Sequence, residues 1–317
     1  MYIDRDVPYS PVPSRQRFSL RKSRMIPRIQ ALLIAGMTLL ITVLVLIVFT
    51  QQRERDFTER QDQAQLALVR GAAHAITMHL LEREKNIRLF TDEYRQLFSR
   101  LLSYPSDENI RASIDLRLKE RFSDYQGFTI TNARAEPLTM TNIGTVCRGD
   151  VSSFSRELRR SGVKNKAHNQ IFIHPQPGNF HFDVMAPLGL QAGSGRVFFV
   201  SFGTQEIVEI LKTHEIPGNQ LMLVRNDDFS LIEIASEGAR DEIVREIRLS
   251  DAERGHITTF EEIAGTKWRL IDLPDIEYQQ RFRKNLWKEA GIIVLIFLIA
   301  SLMMVLLVYK RTDHLPE

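Results

Sequence analysis

The stretch LALVRGAAHAITMHLLEREKNIRLFTDEYRQLFSRL, residues 66–101, carries the repeat that decides how the chain is built. Leu66, Val69, Ala73, Ile76, Leu80, Arg83, Ile87, Phe90, Tyr94, Leu97 and Leu101 follow one another at spacings of three and four. That period belongs to one stripe of an α-helix, and Arg83 alone interrupts its apolar character. The pattern predicts one helix over 51–103, stopped by Pro105 and roughly 80 Å long at 1.5 Å per residue. Such a helix serves as the spine of its own domain, as a seam between two copies in a homodimer, or as both.

Working outward from the spine, the chain meets an uncharged run on each side. IQALLIAGMTLLITVLVLIVFT spans 29–50 and AGIIVLIFLIASLMMVLLVY spans 290–309. Each covers roughly 30 Å as a helix, the thickness of a bilayer's hydrocarbon core, so both are expected to cross a membrane. Residues 51–289 then lie on one side, with 1–28 and 310–317 on the other. Seven Lys and Arg residues precede the first run, while Arg53, Arg55 and Arg60 follow it closely. The basic side stays in the cytoplasm, which makes the central domain extracytoplasmic. Arg281, Arg283, Lys284 and Lys288 ahead of the second run argue the other way, but the first helix usually sets orientation. The expected location is a bacterial inner membrane, with the main domain in the periplasm.

The formal net charge is +3, and the basic excess sits largely at the membrane flanks. Anionic headgroups explain such a tail better than nucleic acid does, so no nucleic-acid partner is expected. With Cys147 the single cysteine, no intramolecular disulfide forms and the domain must be held by its core.

Past the spine the period changes. Residues 107–125, DENIRASIDLRLKERFSDY, continue as a second helix. FTIT, LTMT, QIFI, FHFDVMA and RVFFVSF then alternate at period two, with FSRELRRSG read as helical among them. These five strands predict an α+β lobe with an antiparallel sheet over 107–212. QEIVEILKTH reads as a helix. A smaller lobe follows over 213–275: QLMLVRNDDFSLIEIA as a hairpin, REIRL as helix, and HITTFEEIAGTKWRLIDL as a hairpin turning at Ala264-Gly265-Thr266. DIEYQQRFRKNLWKEA leads by helix into the second span.

This order of parts resembles the double Cache sensor domains of bacterial transmembrane receptors, which have PAS-like lobes between two membrane helices. FHFDVMAPLGLQAGSGRVFFVSFGTQEIVEIL is similar to the segment that closes their distal lobe, NQLMLVRNDDFSLIEIA to the hairpin that opens the proximal one, and AGTKWRLIDLPD to the closing strand. The likeness covers about residues 51–289 and is greatest to sensors that precede diguanylate cyclase or phosphodiesterase modules. It implies an α+β fold in which a small molecule binds the distal lobe and signal transduction runs through the membrane helices. In that family an output module follows the second span, where this sequence has KRTDHLPE. The expectation is therefore a separate cytoplasmic or membrane signalling partner. The distal lobe also lacks the Arg-x-Trp pair, with its Tyr and Asp, of the amino-acid-binding members, so their ligand class is not carried over. The alternatives are an envelope scaffold or assembly protein, or a truncated remnant of a cyclase or kinase receptor.

No Gly-x-Ser-x-Gly, HExxH, phosphate-binding glycine loop or CxxC occurs, and the protein is not expected to be an enzyme or to carry a cofactor. Two groups of polar residues stand out. In FHFDVMA, His181 and Asp183 share one strand face, with Phe180, Phe182 and Val184 on the other. Together with His174 they are expected to line a ligand pocket, the alternative being an ordinary solvated strand face; Cys147, His174 and His181, with Asp150 and Asp183, are weaker candidates for a metal. The second group is Arg148, Arg156, Arg159, Arg160, Lys164 and Lys166, of which Arg156 and Arg160 stand one helical turn apart and could clamp an anion. Phe260 and Trp268 are expected in the core.

Overall fold

The computed structural model describes residues 17–132, 134–139, 154, 156, 171–174, 180–188 and 195–313. It divides into two compact units, Arg60–Ile276 and the pair Met1–Glu59 with Glu277–Glu317.

In the larger unit the spine is α1 (Arg17–Glu93), followed by α2 (Arg95–Ser103). The expected helix over 51–103 is thus interrupted once, at Tyr94, whose φ of −102° and ψ of 26° leave helical values. Hydrogen bonds still run across the break from Tyr94 N to Phe90 O and from Phe98 N to Tyr94 O. α3 (Glu108–Arg121) starts at Asp107, whose carboxylate accepts from the backbone N–H groups of Asn109 and Ile110, a cap that satisfies two orphan donors.

The distal sheet has three antiparallel strands, β1 (Tyr125–Thr131), β2 (Phe182–Pro187) and β3 (Val197–Phe202), in the order β1-β3-β2. Five strands were expected here. LTMT forms none over its described residues, where Thr131 makes a single bridge to Pro137. Ile171 of QIFI bridges instead to Thr266, with Lys267 N donating to Ile171 O at 2.8 Å. Of FSRELRRSG, only Phe154 and Arg156 fall within the described residues.

α4 (Gln205–His214) leads to the five-stranded proximal sheet. It contains β4 (Asn219–Arg225), β5 (Ile232–Ala235), β6 (Gly238–Ala239), β7 (Phe260–Glu262) and β8 (Trp268–Pro274), in the order β6-β5-β4-β8-β7. Both expected hairpins are present, and Gly265 takes φ 77° in the turn between β7 and β8, a value that favours glycine. REIRL is not helical. Arg248 bridges to Leu231, and the helix begins only after Ser250, as α5 (Asp251–His256), where Ser250 and Glu253 form a reciprocal capping box.

One continuous core joins α1 to both sheets. Val69, Ile76, Ile87 and Phe90 of the spine, Phe128, Phe198 and Phe182 of the distal sheet, and Leu223 and Trp268 of the proximal sheet all belong to it. Trp268 is fully buried as expected, whereas Phe260 is 51% exposed. Phe260 sits on β7 at the end of the sheet, where the Arg269 guanidinium lies over its ring at 4.4 Å.

In the smaller unit, α1 runs beside α6 (Ile276–Asp313). Phe57 stacks on Phe282 with ring centroids 3.8 Å apart, and Arg283 pairs with Glu54 at 2.7 Å. Leu33, Ile34, Met37 and Leu40 on α1, and Ile296, Met304 and Leu307 on α6, are all exposed. Apolar residues turned outward around a helix suit lipid rather than water. Both helices are long and apolar enough to cross a membrane. The protein is an α+β domain flanked by two candidate membrane helices.

Candidate functional site

Strand alternation gives the distal sheet two unlike faces. Phe128 and Ile130, Phe198, Val200 and Phe202, and Phe182, Val184 and Ala186 all join the core cluster that contains the spine residues. The opposite face carries Thr129 and Thr131 from β1, Val197, Phe199 and Ser201 from β3, and Asp183 and Met185 from β2. Ser201 stands between Gly127 and Asp183, and Phe199 between Thr129 and Met185.

Asp183 is the centre of that second face. Ser201 Oγ donates to its Oδ1 at 2.5 Å, His174 Nε2 lies 2.7 Å from Oδ2, and His181 Nε2 lies 3.7 Å from Oδ1. The Asp183 and His181 side chains are both 5% exposed. Residues 174 and 181 face each other across an antiparallel bridge, in which His174 N donates to His181 O at 2.9 Å. Their rings stack 5.4 Å apart, and the Phe172 ring centre lies 4.4 Å from that of His174. The expected grouping of His174, His181 and Asp183 therefore forms one buried polar cluster.

Two threonines of β1, across β3 on the same face, have no such partners. Thr129 and Thr131 are fully buried, and neither Oγ1 makes a hydrogen bond. A buried hydroxyl without a partner costs about 1–3 kcal/mol. Between the two threonines and Asp183 the face is apolar, with Val197, Phe199 and Met185 packed against Ala135 and Phe154. Sequence reasoning missed the threonines, and Ser201 with them, although FTIT and VFFVSF place them by simple alternation on the face of Asp183.

The cluster is not a nucleophile relay. The Ser201 hydroxyl donates to the Asp183 carboxylate and not to an imidazole, so the Ser–His contact of a triad is not formed. Nor do His174, His181 and Asp183 bring three donor atoms to one point; among the described residues that closeness occurs at His79, Asp124 and Glu206. Cys147, the third weaker metal candidate, lies outside the described residues, as do Arg148, Asp150, Arg159, Arg160, Lys164 and Lys166. Arg156 is described and exposed, and it makes no polar contact with the Asp183 cluster.

The residues just before His174 are tied to the other lobe. Glu233 on β5 is fully buried and accepts from Ile173 N at 2.7 Å and from Trp268 Nε1 at 2.8 Å. Arg240 pairs with it directly, and Arg225 Nε lies 3.7 Å away. Residues 171–173 are thus tied to the proximal sheet by backbone and carboxylate, while His174 touches Asp183 of the distal one.

No protein-family model matches the chain, and no curated protein matches it. Solved structures that resemble it include the ligand-binding domain of Pseudomonas fluorescens chemoreceptor CtaA in complex with L-isoleucine, at 12% identity and TM-score 0.44, covering 73% of this chain and 98% of that one. The ligand-binding domain of Campylobacter jejuni chemoreceptor Tlp3 with L-valine is similar at 9% identity and TM-score 0.44, over 73% and 98% of the two chains. That of the Pseudomonas aeruginosa PAO1 amino acid chemoreceptor PctC with GABA is similar at 11% identity and TM-score 0.40, over 64% and 94%.

Proposed function

We propose that the protein is a sensor anchored in the bacterial inner membrane, whose small-molecule ligand lies outside the cytoplasm against the Thr129, Thr131, Ser201 and Asp183 face. The observation that carries this reading is the pair of buried, unpaired threonine hydroxyls on the same sheet face as a buried carboxylate, two strands away from it. Each hydroxyl both donates and accepts, and the carboxylate accepts, so the fitting guest is polar and brings at least one hydrogen-bond donor. Binding shifts an equilibrium only if two arrangements of the protein hold the ligand differently. The segment 171–174 supplies a route for such a difference, since it meets the distal face at His174 and the proximal sheet at Ile171 and Ile173. The proximal sheet passes directly from β8 to α6, which ends the route at a membrane helix. A separate signalling protein reached through the membrane helices belongs to the same proposal.

Thermal unfolding of the full chain in detergent, against amino acids, organic acids, polyamines and nucleotides, tests it. A ligand at 100 times its Kd is expected to stabilise by about 2.7 kcal/mol, raising the midpoint by several degrees. Asp183→Asn and Thr129→Val abolish that shift and Arg156→Ala leaves it. A flat response to every compound turns the reading toward a scaffold whose face is covered by protein.

A further inference from the structure

Arg83, the one residue that breaks the apolar repeat of the spine, leads to a second polar cluster. Its side chain is 8% exposed, and its guanidinium lies about 5 Å from the ring centres of both Phe122 and Phe202. Nη2 reaches Asp124 Oδ1 at 2.9 Å and Glu206 Oε1 at 2.7 Å, so one nitrogen bridges two carboxylates. Ser123 Oγ donates to the same Glu206 oxygen at 3.0 Å. The other oxygen of each carboxylate is left over. Glu206 Oε2 faces His79 Nδ1 at 3.3 Å. The Asp124 side chain is 4% exposed, and neither of its oxygens receives a well-aligned hydrogen bond, the Arg83 contact included. His79 Nε2 is also buried without a partner.

Two carboxylates, one buried and one part-exposed, share the Arg83 guanidinium, while the Arg121 guanidinium on the adjoining cavity pairs with Glu93. One donor atom each from His79, Asp124 and Glu206 lies within 4.8 Å of the other two. Donors on a four-coordinate zinc stand about 3.3 Å apart, the distance His79 Nδ1 and Glu206 Oε2 already keep, and Glu206, 40% exposed in the first turn of α4, has room to adjust toward Asp124.

We propose that His79, Asp124 and Glu206 bind one divalent transition-metal ion of the zinc class, with Arg83 orienting the two carboxylates from behind. A mixed imidazole and carboxylate set suits zinc, cobalt or nickel better than calcium or magnesium, which take oxygen alone. Three protein donors leave the fourth position to water or to a ligand, and a cavity of about 190 Å³ lined by His79, Glu82, Asn86 and Glu206, with Arg83, Arg121 and Phe122, adjoins two of them. The ion ties together α1, the residue before β1 and the start of α4. This site is independent of the distal-sheet ligand site.

The test is equilibrium dialysis of the untagged full chain in detergent against Zn²⁺, in a Cys147→Ser background that removes the free thiol. Co²⁺ absorption serves as a second readout of coordination. One ion per chain is expected, with binding at least about tenfold weaker in His79→Gln and in Glu206→Gln, and unchanged when His174 and His181 are both replaced by Gln. Glu206 is part-exposed, so its variant keeps the fold, and the zinc-free thermal midpoint checks this. No bound zinc, binding indifferent to both substitutions, or binding that follows His174 and His181 overturns the site.

Discussion

Asp272 shows what one residue can cost. It stands on β8 opposite Leu221 of β4 and is almost fully buried, with Oδ1 lacking a hydrogen bond. Burial pushes its carboxyl up to about 6, and Glu215 adds to the effect; His214 and Asn219 line the same small space. The folded protein therefore holds this proton more tightly than the unfolded chain does. Its contribution to stability is complete below about pH 4 and is lost as pH rises through about 6. Asp272→Asn is expected to raise the unfolding free energy by up to ~3 kcal/mol above pH 6 and to change little below pH 4, as urea titrations at the two pH values would read. Nothing at position 272 announces this in the sequence, because IDL reads as ordinary strand and the cost depends on which neighbours the fold supplies. His181 and Asp183 were legible for the opposite reason: period two in FHFDVMA fixes their common face whatever surrounds them. Thr129 and Thr131 were equally available by that rule. They went unread because a threonine in a strand is unremarkable until its hydroxyl is found without a partner.

Among the elements, the spine was the most legible, since eleven positions at one period leave little choice of structure. What periodicity does not say is what covers the stripe. Val69, Ala73, Ile76, Leu80, Ile87, Phe90 and Leu101 are buried in the chain's own core, so this seam is not free to pair with a second copy. Arg83 on the seam is explained by the carboxylates it meets. Cysteines at Val69 or Ile76 are accordingly expected to give no disulfide-linked dimer in membranes, while Met78→Cys, at an exposed apolar position, would report a homodimer formed through the other side of the helix. Trapping of a dimer at Val69 would show that the spine leaves its core. The short elements were misread by the same kind of local reasoning. REIRL has helix-forming residues, but the helix starts only where Ser250 and Glu253 cap each other, and Arg248 bridges to Leu231 instead. QIFI has strand composition, yet its partner lies across the lobe boundary at Thr266, a pairing no alternation can reveal.

At the scale of the whole molecule, the outer unit behaves as one body because core and polar contacts both cross between its sheets. Phe182 of the distal sheet packs edge-on against Trp268 of the proximal one at 6.1 Å, and the Trp268 indole donates to Glu233. Removing Glu233 leaves Arg240 uncompensated and orphans the donors of Ile173 and Trp268, a loss on the order of 3–5 kcal/mol for a broken buried pair. Glu233→Ala is therefore expected to lower the stability of both lobes in a single transition. Two separated transitions in a denaturant titration would show that the lobes fold apart.

The ties from Ile171, Ile173 and Lys267 to partners in the opposite lobe also bear on descent. A gene rearrangement that exchanged the proximal lobe alone would strand the Ile173 amide and free the strip that carries His174. Lineages of this protein are therefore expected to inherit the two lobes as one block, and a new ligand preference to arise by substitutions on the distal face rather than by swapping lobes.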